Sequence, residues 1–359
     1  MKILVTGCAG FIGMHIAMYL LKRGDEVVGV DNMNDYYDVN LKKSRLTQLT
    51  EFESFSFLKF DIVDHDRVSA LFKNRGIQRV IHLAAQPGVR NSLINPLVYI
   101  QSNLVGLVNI LEGCRHNNIE HFVFSSSSSV YGANSEIPFT SSRSVDHPIS
   151  LYGATKKSGE LLTHSYSHLY NLPSTCLRYF TAYGPWGRPD MAPSIFTKAI
   201  LEGKPIDVFN HGKMQRDFTY VDDIVEWTVR VLDKPALPNP AFDSSNPDPS
   251  TSHAPYRVYN IGNQQPIDLL TFIEAIEKAL GMTAIKNMLP MQAGDVLATF
   301  ADTTDLQDNF GCQTPYSLHA GVSRFVDWYL DYYQVSNTHE RLSKSSLASR
   351  SIYYEIVPV

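Results

Sequence analysis

The sequence predicts an α/β protein with a Rossmann-like doubly wound parallel sheet, followed by a smaller α/β domain that binds substrate. Three observations support this class. A short apolar strand at the start of the chain runs into a glycine-rich turn and a helix. Strand and helix patterns then alternate five times across roughly the first 180 residues. After Phe180 the composition shifts to proline, glycine and aromatic residues, as in TAYGPWGRPDMAPS.

The first element is the apolar strand Ile3 to Val5, which ends in TGCAGFIG and is followed at once by a helix that stops at Gly24. A strand, a glycine turn and a helix together form a pyrophosphate site. The glycines, spaced GxxGxxG, remove side chains where the turn is tight, where backbone approaches phosphate, and where helix meets strand. We therefore predict dinucleotide contacts from this segment, at Gly7, Gly10, Phe11, Ile12 and Gly13.

The next strand, EVVGVDN, closes with Asp31 and Asn32. A carboxylate at this position accepts hydrogen bonds from the two hydroxyls of a ribose, and it repels a 2′-phosphate. The pattern therefore favours NAD over NADP, against the alternative that Asp31 is only a turn residue.

Two further strands are expected to end at the same edge of the sheet. FSFLKFDI is predicted to run to Asp61, and RVIHLAA to Ala85. Because the carboxyl ends of parallel strands border the ligand crevice, residues there are candidates for adenine and pyrophosphate contact. They are Asp61, Ile62, Ala84 and Ala85.

The strand HFVFSSSSS delivers a serine run that ends in Val130-Tyr131-Gly132, and a YGATK segment follows from Tyr152 to Lys156. Residues four apart on a helix share a face, and a lysine ammonium beside a phenol favours the phenolate. A tyrosine base useful at neutral pH needs its pKa lowered by roughly 3 units, so a second positive charge is expected, which an oxidised nicotinamide would supply. The alternative is that Tyr152 packs in a core while Lys156 is solvated.

The composition excludes several other functions. A net charge of −5 with 19% charged residues, no basic patch and no apolar run near the length of a membrane span indicates neither nucleic acid nor a membrane as partner. Because Met1 begins directly on a strand, we expect no signal peptide. The four cysteines lack CxxC spacing and clustering, so we expect reduced thiols, no metal site and a cytoplasmic protein; they are Cys8, Cys114, Cys176 and Cys312.

These motifs, with FTAYGPWGRPDM and RDFTYVDDI after them, resemble the extended short-chain dehydrogenase/reductase family up to about residue 330. Within that family the sequence is most similar to UDP-glucuronate 4-epimerases, at NDYYDVNLKKSRL, YFTAYGPWGRPDMAP and NHGKMQRDFTYVDDIVE. The resemblance implies that Tyr152 is the catalytic base and that Lys156 binds the nicotinamide ribose. It also implies that Ser127 completes the catalytic triad.

The resemblance also indicates which reaction of the family to expect. Family dehydratases and decarboxylases carry acidic residues just before the VYG, where this chain has Ser128 and Ser129. Galactose-type epimerases have Asn where this chain has Thr181. A cluster of hydroxyls suits the C6 carboxylate of a uronic acid, which accepts several hydrogen bonds and donates none. The expected reaction is C4 epimerisation of UDP-glucuronate. A neutral UDP-hexose 4-epimerase, a UDP-glucuronate decarboxylase and a silent dinucleotide-sensing protein stay open as alternatives.

By the same resemblance, Arg188 and Arg216 contact the diphosphate or carboxylate of a UDP-sugar, with Arg90 as a weaker candidate. The expected division of the chain is a cofactor domain over 1–180, to which later segments can return, a nucleotide-sugar domain over 181–334, and a polar tail over 335–359. A homodimer is implied through the helices that follow Pro96 and Tyr152.

Overall fold

The computed structural model describes residues 1–292, 295–311 and 316–335. Cys312 lies outside the described residues. So does the segment 336–359, which contains all of the predicted tail except residue 335. The strands are β1 (Lys2–Thr6), β2 (Glu26–Asp31), β3 (Phe55–Lys59), β4 (Arg79–His82), β5 (His121–Ser127), β6 (Ser174–Tyr179), β7 (Thr181–Tyr183), β8 (Ile206–Val208), β9 (Gln215–Tyr220), β10 (Tyr256–Ile261), β11 (Pro266–Asp268) and β12 (Lys286–Met288).

The helices alternate with the strands over the first half of the chain. They are α1 (Phe11–Arg23), α2 (Val39–Thr50), α3 (His65–Arg75), α4 (Asn91–Ile94), α5 (Pro96–Ile100), α6 (Gly106–His116), α7 (Leu151–Tyr170), α8 (Ala192–Leu201), α9 (Val221–Asp233), α10 (Leu269–Leu280), α11 (Thr304–Phe310) and α12 (Leu318–Tyr332). A π-helical turn, Gln101–Val105, joins α5 to α6, and a 3₁₀ turn, Ser128–Tyr131, follows β5.

Seven parallel strands form the central sheet, in the order β10-β6-β5-β4-β1-β2-β3. Helices cover both faces of the sheet, so its inner strands are buried, and every residue of β6 is buried. The strand order reverses at β1, which pairs with β2 on one side and β4 on the other. A ligand crevice is expected beyond the carboxyl ends of the strands at such a reversal. The predicted Rossmann-like class is confirmed.

Segments from the second half of the chain join this sheet. Strand β10 pairs in parallel with β6 at the sheet edge, and α9 packs on α1 and β5. The remaining strands form two small sheets, β11-β9-β7 and β12-β8, with α8 and α12 packed on α10 beside them. The central sheet is therefore assembled from segments on both sides of Phe180.

Two strands end earlier than the sequence pattern predicts. Strand β3 stops at Lys59 rather than Asp61, and β4 stops at His82 rather than Ala85. Beyond each strand, backbone amides also bond to side chains. The Ala84 amide, for example, donates to Thr6 Oγ1 at 3.1 Å. The residues named at these ends therefore lie in loops.

The helical stretch Pro96–His116 corrects an expectation. By length and composition alone it is long and apolar enough to cross a membrane, so the expectation that no apolar run approaches such a span is wrong. In the structure, however, α6 packs on α3 and α7. The same apolar composition is therefore used for packing within the protein.

Candidate active site

One cavity of about 1150 Å³ lies at the carboxyl edge of the central sheet. Every residue predicted from sequence to hold cofactor or substrate lines it, although these residues come from all parts of the chain. From the cofactor side these are Gly7, Gly10, Phe11, Ile12, Gly13, Asp31, Asn32, Asp61, Ile62, Ala84 and Ala85; from the substrate side they are Arg90, Ser127, Ser128, Ser129, Tyr152, Lys156, Thr181, Arg188 and Arg216.

The glycine turn fits a dinucleotide pyrophosphate. Gly7 has φ +73°, and a Cβ on Gly13 would lie 2.1 Å from the Gly7 carbonyl oxygen, so neither position accepts a side chain. Helix α1 begins after Gly10 without a side-chain cap. Its first amide groups therefore remain available to an anion at the positive end of the helix.

The Asp31 carboxylate is fixed at the end of β2 by backbone donors. It accepts hydrogen bonds from the Ala9 amide at 3.2 Å and the Met33 amide at 2.8 Å. An ionised carboxylate has about four acceptor positions, so capacity remains for two ribose hydroxyls. Its neighbour Asn32 donates to Asp61 at 2.9 Å, which joins the ends of β2 and β3.

Helix α7 carries both Tyr152 and Lys156, one turn apart. The helix begins at the N-cap Ser150, whose hydroxyl accepts from the Gly153 amide at 3.0 Å. A Cβ on Gly153 would lie 2.6 Å from the Ser129 carbonyl oxygen. The absence of a side chain there lets the start of α7 lie directly against the serine run.

The environment of Tyr152 differs from the prediction. Burial raises the pKa of Tyr152, while a hydrogen bond from Ser127 and the positive charge of Arg188 act in the opposite direction. Lys156 Nζ lies 5.9 Å from the centre of the Tyr152 ring and donates instead to the Ser125 carbonyl at 2.7 Å. Burial lowers the pKa of Lys156 to about 7. The hydrogen bond that the structure gives the Lys156 ammonium is thus to the backbone of the serine run.

The serine run changes direction at the end of β5. Ser127 Oγ accepts a hydrogen bond from the Ser129 amide at 3.1 Å and lies 3.2 Å from Ser129 Oγ. The 3₁₀ turn that follows brings Ser128 to the same cavity, and Thr181 enters it from the start of β7. Several neutral hydroxyl groups thus line the cavity that also holds the Tyr152 phenol.

The three predicted arginines fall into two groups. Arg188 pairs with Asp190, with Nε 3.0 Å from Oδ1, and its charge reaches Tyr152. Arg90 pairs with Asp295 at 3.4 Å. Burial lowers the pKa of Arg216. The negative charge of Asp295 raises that pKa, and the positive charge of Arg90 lowers it further. One arginine therefore lies near the candidate base, and two lie together around Asp295.

Sequence reasoning missed a buried asparagine. Asn103 sits in the π-helical turn, accepts from the Gln86 amide at 2.7 Å and donates to Thr155 Oγ1 at 3.0 Å. It thus ties α7 to the loop after β4. No local pattern marks it, because a π-helical turn has no sequence signature comparable to a glycine turn.

Residues of the loop after β2 were also missed, although NDYYDVNLKKSRL was quoted for its resemblance. Tyr36 hydrogen-bonds to Asp190, and Lys42 donates to Asn34 Oδ1 at 2.7 Å. All four residues line the cavity. The density of tyrosine and asparagine after a cofactor-type aspartate is a sequence signal for Asn34 and Tyr36.

Comparisons with known proteins show the family to which the chain belongs. Residues 3–262 match the model of the NAD dependent epimerase/dehydratase family. The chain is 54% identical to the Staphylococcus aureus protein CapI, covering 93% of this chain and 100% of that protein. It is 47% identical to a probable UDP-glucuronate 4-epimerase of Rhizobium meliloti, covering 94% and 99%.

A solved structure is similar over the same range. It is the Bacillus cereus UDP-glucuronic acid 4-epimerase in complex with UDP-glucuronic acid and NAD, at 36% identity and a TM-score of 0.81, covering 93% of this chain and 100% of that one. The family model and these relatives all extend across the glycine turn, the serine run and the Tyr152 helix. This chain belongs to the NAD-dependent epimerase/dehydratase family.

Proposed function

We propose that this protein catalyses the reversible C4 epimerisation of UDP-glucuronate to UDP-galacturonate, with NAD as its cofactor. The observation that carries the proposal is the placement of Tyr152 in one cavity with the hydroxyls of Ser127, Ser128, Ser129 and Thr181. That hydroxyl set suits a sugar carboxylate, and no carboxylate of the protein stands in the serine run to act on C5. The similarity to relatives named as UDP-glucuronate 4-epimerases supports the same reaction.

The proposed base is Tyr152, which takes the proton of the sugar 4-hydroxyl. Burial opposes the phenolate, so the charge has to be stabilised by the Ser127 hydroxyl, by Arg188 and by the positive ring of the oxidised cofactor. When bound, NAD supplies a reversible hydride acceptor for the C4 hydrogen. Lys156 would hold the nicotinamide ribose, because its Nζ already lies at the cavity wall beside Ser125.

Epimerisation requires the 4-keto sugar to present its opposite face before the proton and hydride return. We propose that the diphosphate keeps the sugar in the cavity during this rotation, held by Arg90 and Arg216. Arg188 lies nearer Tyr152 and is the better placed of the three for the sugar carboxylate. A guanidinium suits either group because its donors pair with two oxygens at once.

The hydroxyl cluster has a second task in this proposal. A 4-keto uronic acid is a β-keto acid, and it loses CO₂ when its carboxylate stands perpendicular to the carbonyl plane. Hydrogen bonds from Ser128, Ser129 and Thr181 would hold the carboxylate near that plane. They would thereby favour return of the hydride over loss of CO₂.

The test is NMR of the sugar nucleotides formed from UDP-glucuronate by the purified protein with no added cofactor. We expect UDP-galacturonate as the main product, with UDP-glucose turned over at least about tenfold more slowly, the effect of losing one well-placed charged contact. A clear preference for UDP-glucose would instead support the neutral-sugar epimerase. Release of CO₂ as the main reaction would support the decarboxylase.

We also infer a cytoplasmic homodimer. Helices α5 and α7 expose apolar side chains at the surface, among them Leu97 (76% exposed), Leu161 (57%) and Leu169 (66%). Two such helices from each of two copies would bury this surface as a four-helix bundle. Light scattering checks the mass, and Leu161→Glu is expected to shift it from the dimer to the monomer.

A further inference from the structure

A buried ion pair lies beneath the serine run without lining the cavity. Both oxygens of Glu160 accept from Arg178, with Nε at 2.8 Å and Nη2 at 2.9 Å. The two side chains are 1% and 0% exposed. Well-packed apolar residues often stabilise a protein as much as a buried ion pair does. Stability alone therefore does not account for this pair.

The Glu160–Arg178 pair is hydrogen-bonded to Ser126, the residue that precedes Ser127. Ser126 Oγ donates to Glu160 Oε1 at 2.6 Å. Ser126 and Arg178 are register partners in β5 and β6, so their side chains leave the same face of the sheet and meet at Glu160. Glu160 lies one turn beyond Lys156 on α7, and Lys156 holds the Ser125 carbonyl. Consecutive turns of the Tyr152 helix thus hold consecutive serines.

The same ion pair is hydrogen-bonded to Tyr131, the residue that ends the 3₁₀ turn after β5. Arg178 Nη1 donates to the Tyr131 hydroxyl at 3.1 Å. That hydroxyl donates in turn to Asn260 Oδ1 at 2.7 Å. Tyr131 is the last residue of the 3₁₀ turn that contains Ser128 and Ser129. The hydroxyls of Ser127, Ser128 and Ser129 therefore lie between Ser126 and Tyr131. Ser126 hydrogen-bonds to Glu160 and Tyr131 to Arg178, so both flanking residues are held by the same ion pair.

We propose that Glu160 and Arg178 are positioning residues, which fix the Ser127–Ser129 hydroxyls through Ser126 and Tyr131 and thereby hold the 4-keto sugar's carboxylate in the orientation that does not lose CO₂. This inference rests on the proposed epimerase function. It assigns the partition between epimerisation and CO₂ release to an ion pair that does not line the cavity and that acts through Ser126 and Tyr131, which do. A network of fully satisfied buried groups is rigid enough for this task.

The side reaction has a defined outcome. Loss of CO₂ breaks the C5–C6 bond, and its electron pair enters the C4 carbonyl as an enolate. C5 then takes up a proton, which gives a UDP-4-keto pentose. Because the ring ketone leaves without regaining the hydride taken from C4, one reduced nicotinamide remains for each CO₂ released. Both products can be counted independently of the epimer.

The test uses Ser126→Ala and Tyr131→Phe in the full chain with its bound cofactor. Each removes one hydroxyl of the network and leaves both charges paired. The matched controls are Ser174→Ala, a buried serine at the far end of β6, and Tyr329→Phe, a buried tyrosine of α12. Neither control residue lines the cavity. NMR measures epimer and keto pentose, absorbance measures reduced nicotinamide, and calorimetry measures the affinity for UDP.

Both network variants are expected to raise the ratio of keto pentose to epimer about fivefold to tenfold, the effect of losing one buried hydrogen bond. Reduced nicotinamide should accumulate in step, while UDP affinity and the controls stay unchanged. The double variant Glu160→Leu with Arg178→Met removes both buried charges together and is expected to fold with the same altered ratio. This double variant tests the proposal if Ser126→Ala or Tyr131→Phe fails to fold.

Two results would overturn the proposal, and they are distinguishable. If the network variants lose epimerisation and CO₂ release by the same factor, the pair is merely structural while the epimerase function stands. If the unmodified protein converts UDP-glucose but not UDP-glucuronate, there is no carboxylate to orient, and both proposals fail together.

Discussion

The Lys156 ammonium group donates to the backbone carbonyl of Ser125 at 2.7 Å, rather than to the hydroxyl of Tyr152. The contact joins the middle of α7 to the last residues of β5. Lys156 is 3% exposed. Burial therefore destabilises the charged form of Lys156. An additional partner, such as a cofactor ribose, would complete the hydrogen bonds of the ammonium group.

This burial makes the stability of the protein pH-dependent through Lys156. Its pKa is lowered from 10.5 to about 7 in the folded protein, so between these values the unfolded chain binds a proton that the folded one has released. The stability contribution of this group therefore rises with pH across that window. Lys156→Met is expected to raise the melting temperature by a few degrees near pH 7, and by less as the pH approaches about 10.

Thermal unfolding across this pH range checks the prediction. Lys198→Met, which removes an exposed lysine of α8, is the matched control and is expected to leave the melting temperature unchanged. A gain from Lys156→Met that grows with pH would contradict it.

Replacing Tyr152 by phenylalanine removes the proposed base and little else. The ring packs edge-on against Tyr99, with ring centres 6.2 Å apart, and this contact does not need the hydroxyl. We expect Tyr152→Phe to lower kcat for UDP-glucuronate by about 10²–10⁴-fold, the usual contribution of a general base. The content of bound NAD should stay the same. NMR of the products and absorbance of the cofactor released on denaturation measure the two quantities; unchanged turnover would exclude the assignment.

Thr181 is expected to discriminate between acidic and neutral sugars. Thr181→Val keeps the shape of the side chain but removes a donor from the hydroxyl cluster. A hydrogen bond to a charged group contributes about 1.5–3 kcal/mol. We therefore expect kcat/KM for UDP-glucuronate to fall roughly tenfold or more, with little change for UDP-glucose. Thr197→Val, a buried threonine of α8 outside the cavity, is the control. Equal losses with both substrates would count against the carboxylate contact.

Asp223, in the first turn of α9, gives a pH dependence of the opposite sign. Both of its carboxylate oxygens are buried without a hydrogen-bond partner among the described residues. Burial raises its pKa from 3.8 to about 8, and the charges of Asp222 and Glu226 add to the effect. The folded protein thus keeps a proton that the unfolded chain loses, and its stability falls as the pH rises from about 4 to about 8.

Asp223→Asn removes this penalty. We expect it to raise the melting temperature by an amount that is small near pH 4 and increases toward pH 8, measured by calorimetry. The control Asp308→Asn replaces an exposed carboxylate of α11. A stabilisation that shrinks with increasing pH would rule out the unpaired carboxylate as its cause.

Local patterns in the chain were enough to predict the Rossmann-like class, the glycine turn and the residues on the cofactor side of the cavity. They sufficed because each rests on a short-range requirement, such as a tight turn at Gly7, the i, i+4 spacing of Tyr152 and Lys156, or the end of an apolar strand at Asp31. The substrate cluster came instead from resemblance to a family, since nothing in five successive serines specifies a sugar carboxylate.

Tertiary structure alone decided which groups meet across long separations in sequence. It joined β10 to β6, brought the charge of Arg188 near the Tyr152 phenol, and paired Glu160 with Arg178 beneath the serines. A sequence shows charge and periodicity, but the pKa of a buried group depends on how completely water is excluded and on which distant residue faces it. Those quantities exist only after the sheet and helices have packed.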